Sequence, residues 1–208
     1  MRPASPAWGL LTALVCIAPH LAMAQAREPL RGVVADVRLV SATLPSTPGW
    51  TPTVPAGAVV PGRGFGVDGG AHVFVGPGRH RRLGFGVAGL VSQGRSTGLT
   101  PAPAVTTRLF AAAPHVSLNF GHALGWSHLS LGVGTAKVTS TYVGGVAEPA
   151  TWGTAIHYGF GGRWFLRDHL ALSLDLRFWA LTPRPASDPR PSAPATTRVA
   201  LGAGVAFR

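Results

Sequence analysis

Seven ionisable side chains fall on stretches whose other positions alternate between apolar residues and small or polar ones: Asp36, Arg38, Asp68, Arg163, Asp175, Arg177 and Arg198. Charges of opposite sign confined together pair with one another, and a lone one removed from water costs several kcal/mol. The pattern predicts an internal ion-pair cluster, in which Asp175 lies between Arg163 and Arg198 while Asp36 or Asp68 meets Arg38. We read this cluster as structural; a proton path or a catalytic site is the competing use of the same groups.

The remaining chemistry is sparse. Histidines stand at 20, 72, 80, 115, 122, 128, 157 and 169, and neither H-E-x-x-H nor C-x-x-C occurs, so no metal ligand set is expected. His72, His115, His128 and His157 share the polar sides of their stretches and read as hydrogen-bonded filler. There is no G-x-S-x-G elbow. Ser117 and His115 lie on one face, and a serine–histidine pair near an outer rim would mark a lipid-modifying enzyme; that reading is kept as an alternative. Gly76 to Arg82 is basic and glycine-bearing but fits no P-loop spacing, so it reads as a turn. No cofactor is expected.

These residues must be positioned by strands. Glycine (28 of 208) and proline (19) are abundant, charged residues make up only 12%, and the mean hydropathy of +0.27 is too high for a disordered chain. The net charge is +11, but the arginines are scattered rather than striped along one helix, which argues against nucleic acid. The N-terminus has the form of a secretory signal: Arg2, an apolar core from Trp8 to Ala18, and the A-x-A site Ala22-Met23-Ala24. Residues 1–24 are therefore expected to be a cleaved leader and 25–208 one domain. Cys16, the only cysteine, belongs to the leader, so no disulfide is possible in the remainder. Val15 before Cys16 speaks against a lipoprotein, and Pro19-His20 interrupts the apolar run before it is long enough to span a membrane as a helix.

Beyond the leader, period-two alternation recurs over Gly32–Ala42, Gly64–Val75, Leu83–Ser92, Thr106–Phe120, Ser127–Thr139, Trp152–Leu166, Leu170–Leu181 and Thr197–Phe207. Pro114 falls inside the fourth stretch, where a bulge is expected. The connections alternate long and short: 43–63, 76–82, 93–105, 121–126, 140–151, 167–169 and 182–196. An even number of strands joined in this way places both termini on one side of a barrel. Glycines on the polar faces, among them Gly86, Gly132, Gly159 and Gly161, leave room for long side chains in a narrow lumen. The apolar faces are expected to look outward, toward lipid. Trp126, Tyr142, Trp152, Trp164, Phe178 and Phe207 fall near strand ends and are expected to form aromatic girdles.

With its leader, its G-x-G-rich amphipathic strands, segments such as Val116-Ser117-Leu118-Asn119-Phe120-Gly121 and its final stretch Val199 to Phe207, the chain resembles the small bacterial outer-membrane β-barrels, the porin-like eight-stranded family. The resemblance implies an all-β, eight-stranded antiparallel up-and-down transmembrane barrel in the bacterial outer membrane. It also implies outer-membrane lipid and the barrel assembly machinery as partners, a monomer, and no nucleic acid. Members usually end in an aromatic residue; here Phe207 is penultimate and Arg208 last. The expected role is non-enzymatic, structural or surface-interacting, with the lumen filled by side chains or left as a narrow polar pore. The alternatives are an outer-membrane lipid-modifying enzyme and a secreted soluble lipocalin-like carrier.

Overall fold

The computed structural model describes residues 32–51, 54, 57–75, 81–97, 102–122, 124–142, 144, 150–186 and 191–208. The expected leader lies outside the described residues. Eight strands follow in chain order: β1 (Val33–Thr43), β2 (Arg63–Val75), β3 (Arg81–Arg95), β4 (Val105–His122), β5 (Gly125–Tyr142), β6 (Thr151–Arg167), β7 (Leu170–Leu181) and β8 (Thr196–Phe207). Each pairs antiparallel with its successor, and β1 pairs with β8, closing the sheet into a barrel without a free edge. Short connections join β2 to β3, β4 to β5 and β6 to β7 at the end where β1 begins and β8 finishes, the terminal end. The long connections all emerge at the opposite end, the loop end.

Alternation in sequence becomes alternation across the wall, because successive side chains of a strand point to opposite faces. In β1, Val34, Asp36, Arg38, Val40 and Ala42 are buried while Val33, Val37 and Leu39 are exposed. In β7 the same parity buries Ser173, Asp175, Arg177 and Trp179. Leu201 is 63% exposed, Leu131 60% and Phe65 74%, and comparable side chains recur on every strand. An apolar surface encircling the whole barrel far exceeds what a water-soluble monomer exposes. It is what a lipid-facing wall requires.

One local expectation is corrected. Pro114 causes no bulge: the β3 register runs through Val87↔Pro114, and the β5 register resumes at His115↔Gly132 in phase with Ala112↔Thr135. Pro114 lacks an N–H and points outward, so it drops a ladder bond without inserting a residue. The register shift falls instead at Phe165/Arg167, where β6 bends into its turn. In the tight β4–β5 turn Gly121 takes φ +133°, and a Cβ there would run into the backbone at Gly125 and Trp126; only glycine fits.

The lumen is filled in layers. Toward the loop end lies an apolar plug that includes Leu90, Leu109, Val138, Trp179 and Leu181, topped by Leu44 and Trp50 from the β1–β2 connection and Ala193 from the β7–β8 connection. Trp50 Nε1 donates to the Pro194 carbonyl at 2.8 Å, tying these two connections together across the mouth. At the terminal end a smaller cluster of Val34, Phe74, Trp126, Ala171 and Ala206 closes the other opening, with Phe165 stacked on Trp126. Between the two plugs sits the charged layer.

Candidate functional site

Charge inside a barrel must be neutralised within it, and the middle layer does so with three carboxylates and three guanidiniums contributed by four strands: Asp36 and Arg38 from β1, Asp68 from β2, Arg163 from β6, and Asp175 and Arg177 from β7. Arg38 is the hub. Its Nη1 lies 2.7 Å from Asp36 Oδ1 and 2.9 Å from Asp175 Oδ2, its Nε donates to Asp68 Oδ1 at 3.0 Å, and its Nη2 pairs with the same oxygen. Arg163 reaches across the lumen to Asp36, donating from Nη2 at 2.5 Å and from Nε at 3.1 Å. Arg177 bridges Asp175 at 2.9 Å and Asp68 at 3.1 Å. Ser173 Oγ accepts from Arg38 at 3.0 Å. Burial is nearly complete, with Arg163 at 0% and Arg38 and Asp68 each at 1% exposure. Charge-assisted, multiply bonded pairs of equal number are the condition under which such burial is tolerated.

Arg198 is not part of this layer. The expected neighbour of Asp175 on β8 is displaced by the register: Asp175 pairs with Gly202, while Arg198 pairs with Trp179 nearer the loop end, with Ala200 between them on the inward face. There Arg198 Nη1 donates to the Leu44 carbonyl at 2.7 Å and braces the mouth. Arg163 stands 3.6 Å from Asp175, farther than from Asp36, a partner on the other side of the lumen that no adjacent-strand argument reaches.

Histidines border the charged layer. Arginine only donates, so the 2.8 Å contact of Arg163 Nη1 with His128 Nδ1 makes that nitrogen the acceptor and leaves the proton on Nε2, which faces Asp175 Oδ1 at 3.7 Å. His72 Nε2 lies 3.3 Å from Asp36. His72, His115 and His157 form a row around the wall: the ladder runs His72↔Gly86, Gly86↔His115, His115↔Gly132, Gly132↔His157, His157↔Trp179 and Trp179↔Arg198. Their ring centroids are 5.7 and 5.6 Å apart, and His157 meets Trp179 at 4.7 Å. The intervening glycines are needed, since a Cβ on Gly132 would meet His115 Cβ at 2.8 Å. This row escaped sequence reading because it exists only once the register is known. Among the described residues no cluster of histidine, cysteine or carboxylate has the arrangement to hold a metal ion.

Ser117 is also inside. Its Oγ accepts from Asn119 Nδ2 at 2.9 Å, while the His115 ring packs against His72 and His157. Both residues are buried in the lumen, Ser117 level with Phe74 of the terminal plug and His115 nearer the loop end, in the histidine row.

The aromatic residues divide. Trp152 is exposed at the loop end with Lys137 Nζ 5.2 Å from its ring centre, and Phe207 is exposed and Trp164 half-buried at the terminal end. Phe178 is outward and stacks on Tyr158 at 5.0 Å within the wall. Trp126 and Tyr142 are corrections to the expected girdles. Trp126 shares the inward parity of His128 and packs edge-on against Phe74 in the terminal plug. Tyr142 shares the inward parity of Val138 and Ser140 at the loop end of β5.

A closed eight-stranded antiparallel barrel with an apolar exterior and a packed polar lumen is the architecture of a small outer-membrane β-barrel. Comparison with solved structures shows the same fold. Ail, the attachment invasion locus protein of Yersinia pestis, matches with a TM-score of 0.50 at 11% identity, over 86% of this chain and 100% of that one; that structure is a complex with the heparin analogue sucrose octasulfate. The neisserial surface protein NspA matches with a TM-score of 0.51 at 12% identity, over 84% of this chain and 94% of that one. No protein-family model matches the chain, and no curated protein matches it. At such identities the likeness carries the fold, and function must be argued from the site itself.

Proposed function

We propose that the protein is a non-enzymatic barrel of the bacterial outer membrane with a structural or surface-interacting role. It is a monomer held by outer-membrane lipid and delivered by the barrel assembly machinery. The observation that carries this reading is the double closure of the lumen: the Trp50–Leu44–Ala193 cap and the Trp126–Phe74 cluster bury the ionic layer between them. A lumen plugged at both ends offers no path for solutes along the barrel axis, which leaves the outer wall and the long connections as the working surfaces. The buried Ser117 and His115 weigh against a lipid-modifying enzyme, and the encircling apolar wall weighs against a soluble carrier.

The test has two arms. Purified protein in planar bilayers is expected to show no steady ion conductance, and cell fractionation should recover it from outer membranes as a band that migrates faster before boiling than after. Sustained conductance would overturn the closed-lumen reading. Lipid A acylation or deacylation lost on Ser117→Ala or His115→Ala would overturn the non-enzymatic one.

A further inference from the structure

The cations on the outside of the barrel are unevenly placed. Counting outward positions toward the loop end, β2 finishes in Arg63, β3 in Arg95, β4 carries Arg108 and β5 carries Lys137. The first three are exposed. At the equivalent edge, β6, β7, β8 and β1 present Trp152 and Thr154, Ala180, Thr197 and Thr43 instead. The register brings the four cations together. Phe65 pairs with Gln93, so Arg63 falls across from Arg95; Arg95 pairs with Thr106, and Arg108 is one diagonal step away; Phe110 pairs with Lys137, again one step from Arg108. Directly opposed side chains on neighbouring strands sit about 5 Å apart at Cβ and diagonal ones about 7–8 Å, so like charges so placed repel. Among the described residues no carboxylate relieves them: Asp36, Asp68 and Asp175 are in the lumen, and Asp168 is at the opposite end.

Directly below this arc, one outward position nearer the terminal end, stand Phe65 and Phe110, both exposed and apolar. Arg108 is held in place by donation from its Nε to Gln93 Oε1 at 2.5 Å, and Lys137 by the Trp152 ring. The surface is thus amphipathic in one direction, with cations above and greasy side chains below. We propose that this arc binds the phosphorylated headgroup of a lipid of the external leaflet, whose phosphate oxygens bridge Arg63, Arg95 and Arg108 while its acyl chains lie over Phe65 and Phe110. Phosphate suits the site because guanidinium forks pair with it bidentately, and because an anion between opposed arginines turns their repulsion into attraction.

The inference rests on the membrane-spanning reading above, and the test separates the two. Wild type and an Arg63→Gln/Arg95→Gln/Arg108→Gln variant are placed in phosphatidylcholine nanodiscs containing either bis-phosphorylated or dephosphorylated lipid A, and bound lipid is quantified by native mass spectrometry. The variant is expected to bind phosphorylated lipid A about tenfold or more weakly than wild type, while Arg167→Gln at the terminal end changes nothing. Wild type should bind the dephosphorylated lipid as weakly as the variant binds the phosphorylated one. Equal binding across these pairs, in protein that inserts and retains its heat-modifiable shift, would overturn the headgroup site while leaving the barrel reading intact. Failure of wild type to insert would overturn both. A lipid-free anionic polysaccharide that binds as strongly as lipid A would overturn the assignment to a lipid.

Discussion

Replacing Arg38 with methionine removes one positive charge from a layer that holds three of each sign. Asp36 keeps Arg163, and Asp175 and Asp68 must then share Arg177. One carboxylate is left in surplus in a space that solvent does not reach. Removing one partner of a buried ion pair costs about 3–5 kcal/mol. Asp68→Asn leaves one surplus guanidinium in the same space, with a penalty in the same range of about 3–5 kcal/mol. The double variant restores equality, with Asp36 and Asp175 facing Arg163 and Arg177. If the layer is held by its charge balance, the double variant should be more stable than the sum of the two single losses by at least about 2 kcal/mol. Urea unfolding in lipid vesicles, followed by tryptophan fluorescence and by the heat-modifiable gel shift, reads all four corners of the cycle. Losses that add to within about 0.5 kcal/mol would refute the coupling and show that Arg38 acts through packing alone.

The outer wall can be probed by depth. Leu201→Arg, in the middle of β8, should lower the stability of the barrel in bilayers by about 2–4 kcal/mol, whereas Thr141→Arg at the loop end of β5 should cost about 0–1 kcal/mol; equal tolerance of both, measured by unfolding from vesicles, would contradict a lipid-facing wall. Gly132→Val drives its side chain into Pro114 and His115 and should destabilise by about 1–3 kcal/mol or more, while Gly89→Ala, whose Cβ would meet only Ala111 at 3.9 Å, should leave the melting temperature unchanged or slightly raised. Trp50→Ala removes a side chain that is 1% exposed and its bond to Pro194, a truncation worth about 3–5 kcal/mol in a packed site. Faster hydrogen exchange should then appear at residues 44–51 and 191–195 before it appears in the strands, and unchanged exchange there would show that the cap does not depend on this tryptophan.

The strands were legible in the sequence because a sheet with one greasy and one polar face must alternate with period two, and the alternating lengths of the connections ordered them into a barrel. The parity of each residue followed: Leu172, Leu174 and Leu201 could be assigned to one face and Asp36, Arg38, Asp68, Asp175 and Arg177 to the other from the chain alone. Height along the barrel axis could not. It depends on how far each strand is staggered against the next, and no side-chain pattern within one strand encodes that. The sequence therefore points to Arg198 beside Asp175, whereas the register seats it near the mouth, and it offers Trp126 and Tyr142 as girdle residues because both fall outside Ser127–Thr139, the stretch whose alternation fixes a face.

What the sequence determined by itself is thus local: which segments extend, which side of each is apolar, and that the charged residues would be enclosed. Only closure of the sheet decided which charges meet. Arg163 and Asp36 are separated by 127 positions and lie on strands that share no hydrogen bond; they touch because the lumen of an eight-stranded barrel is narrow enough for a guanidinium to cross it. The histidine row and the cap of Trp50 on Pro194 have the same origin, since each joins residues whose proximity is set by the stagger and curvature of the whole wall.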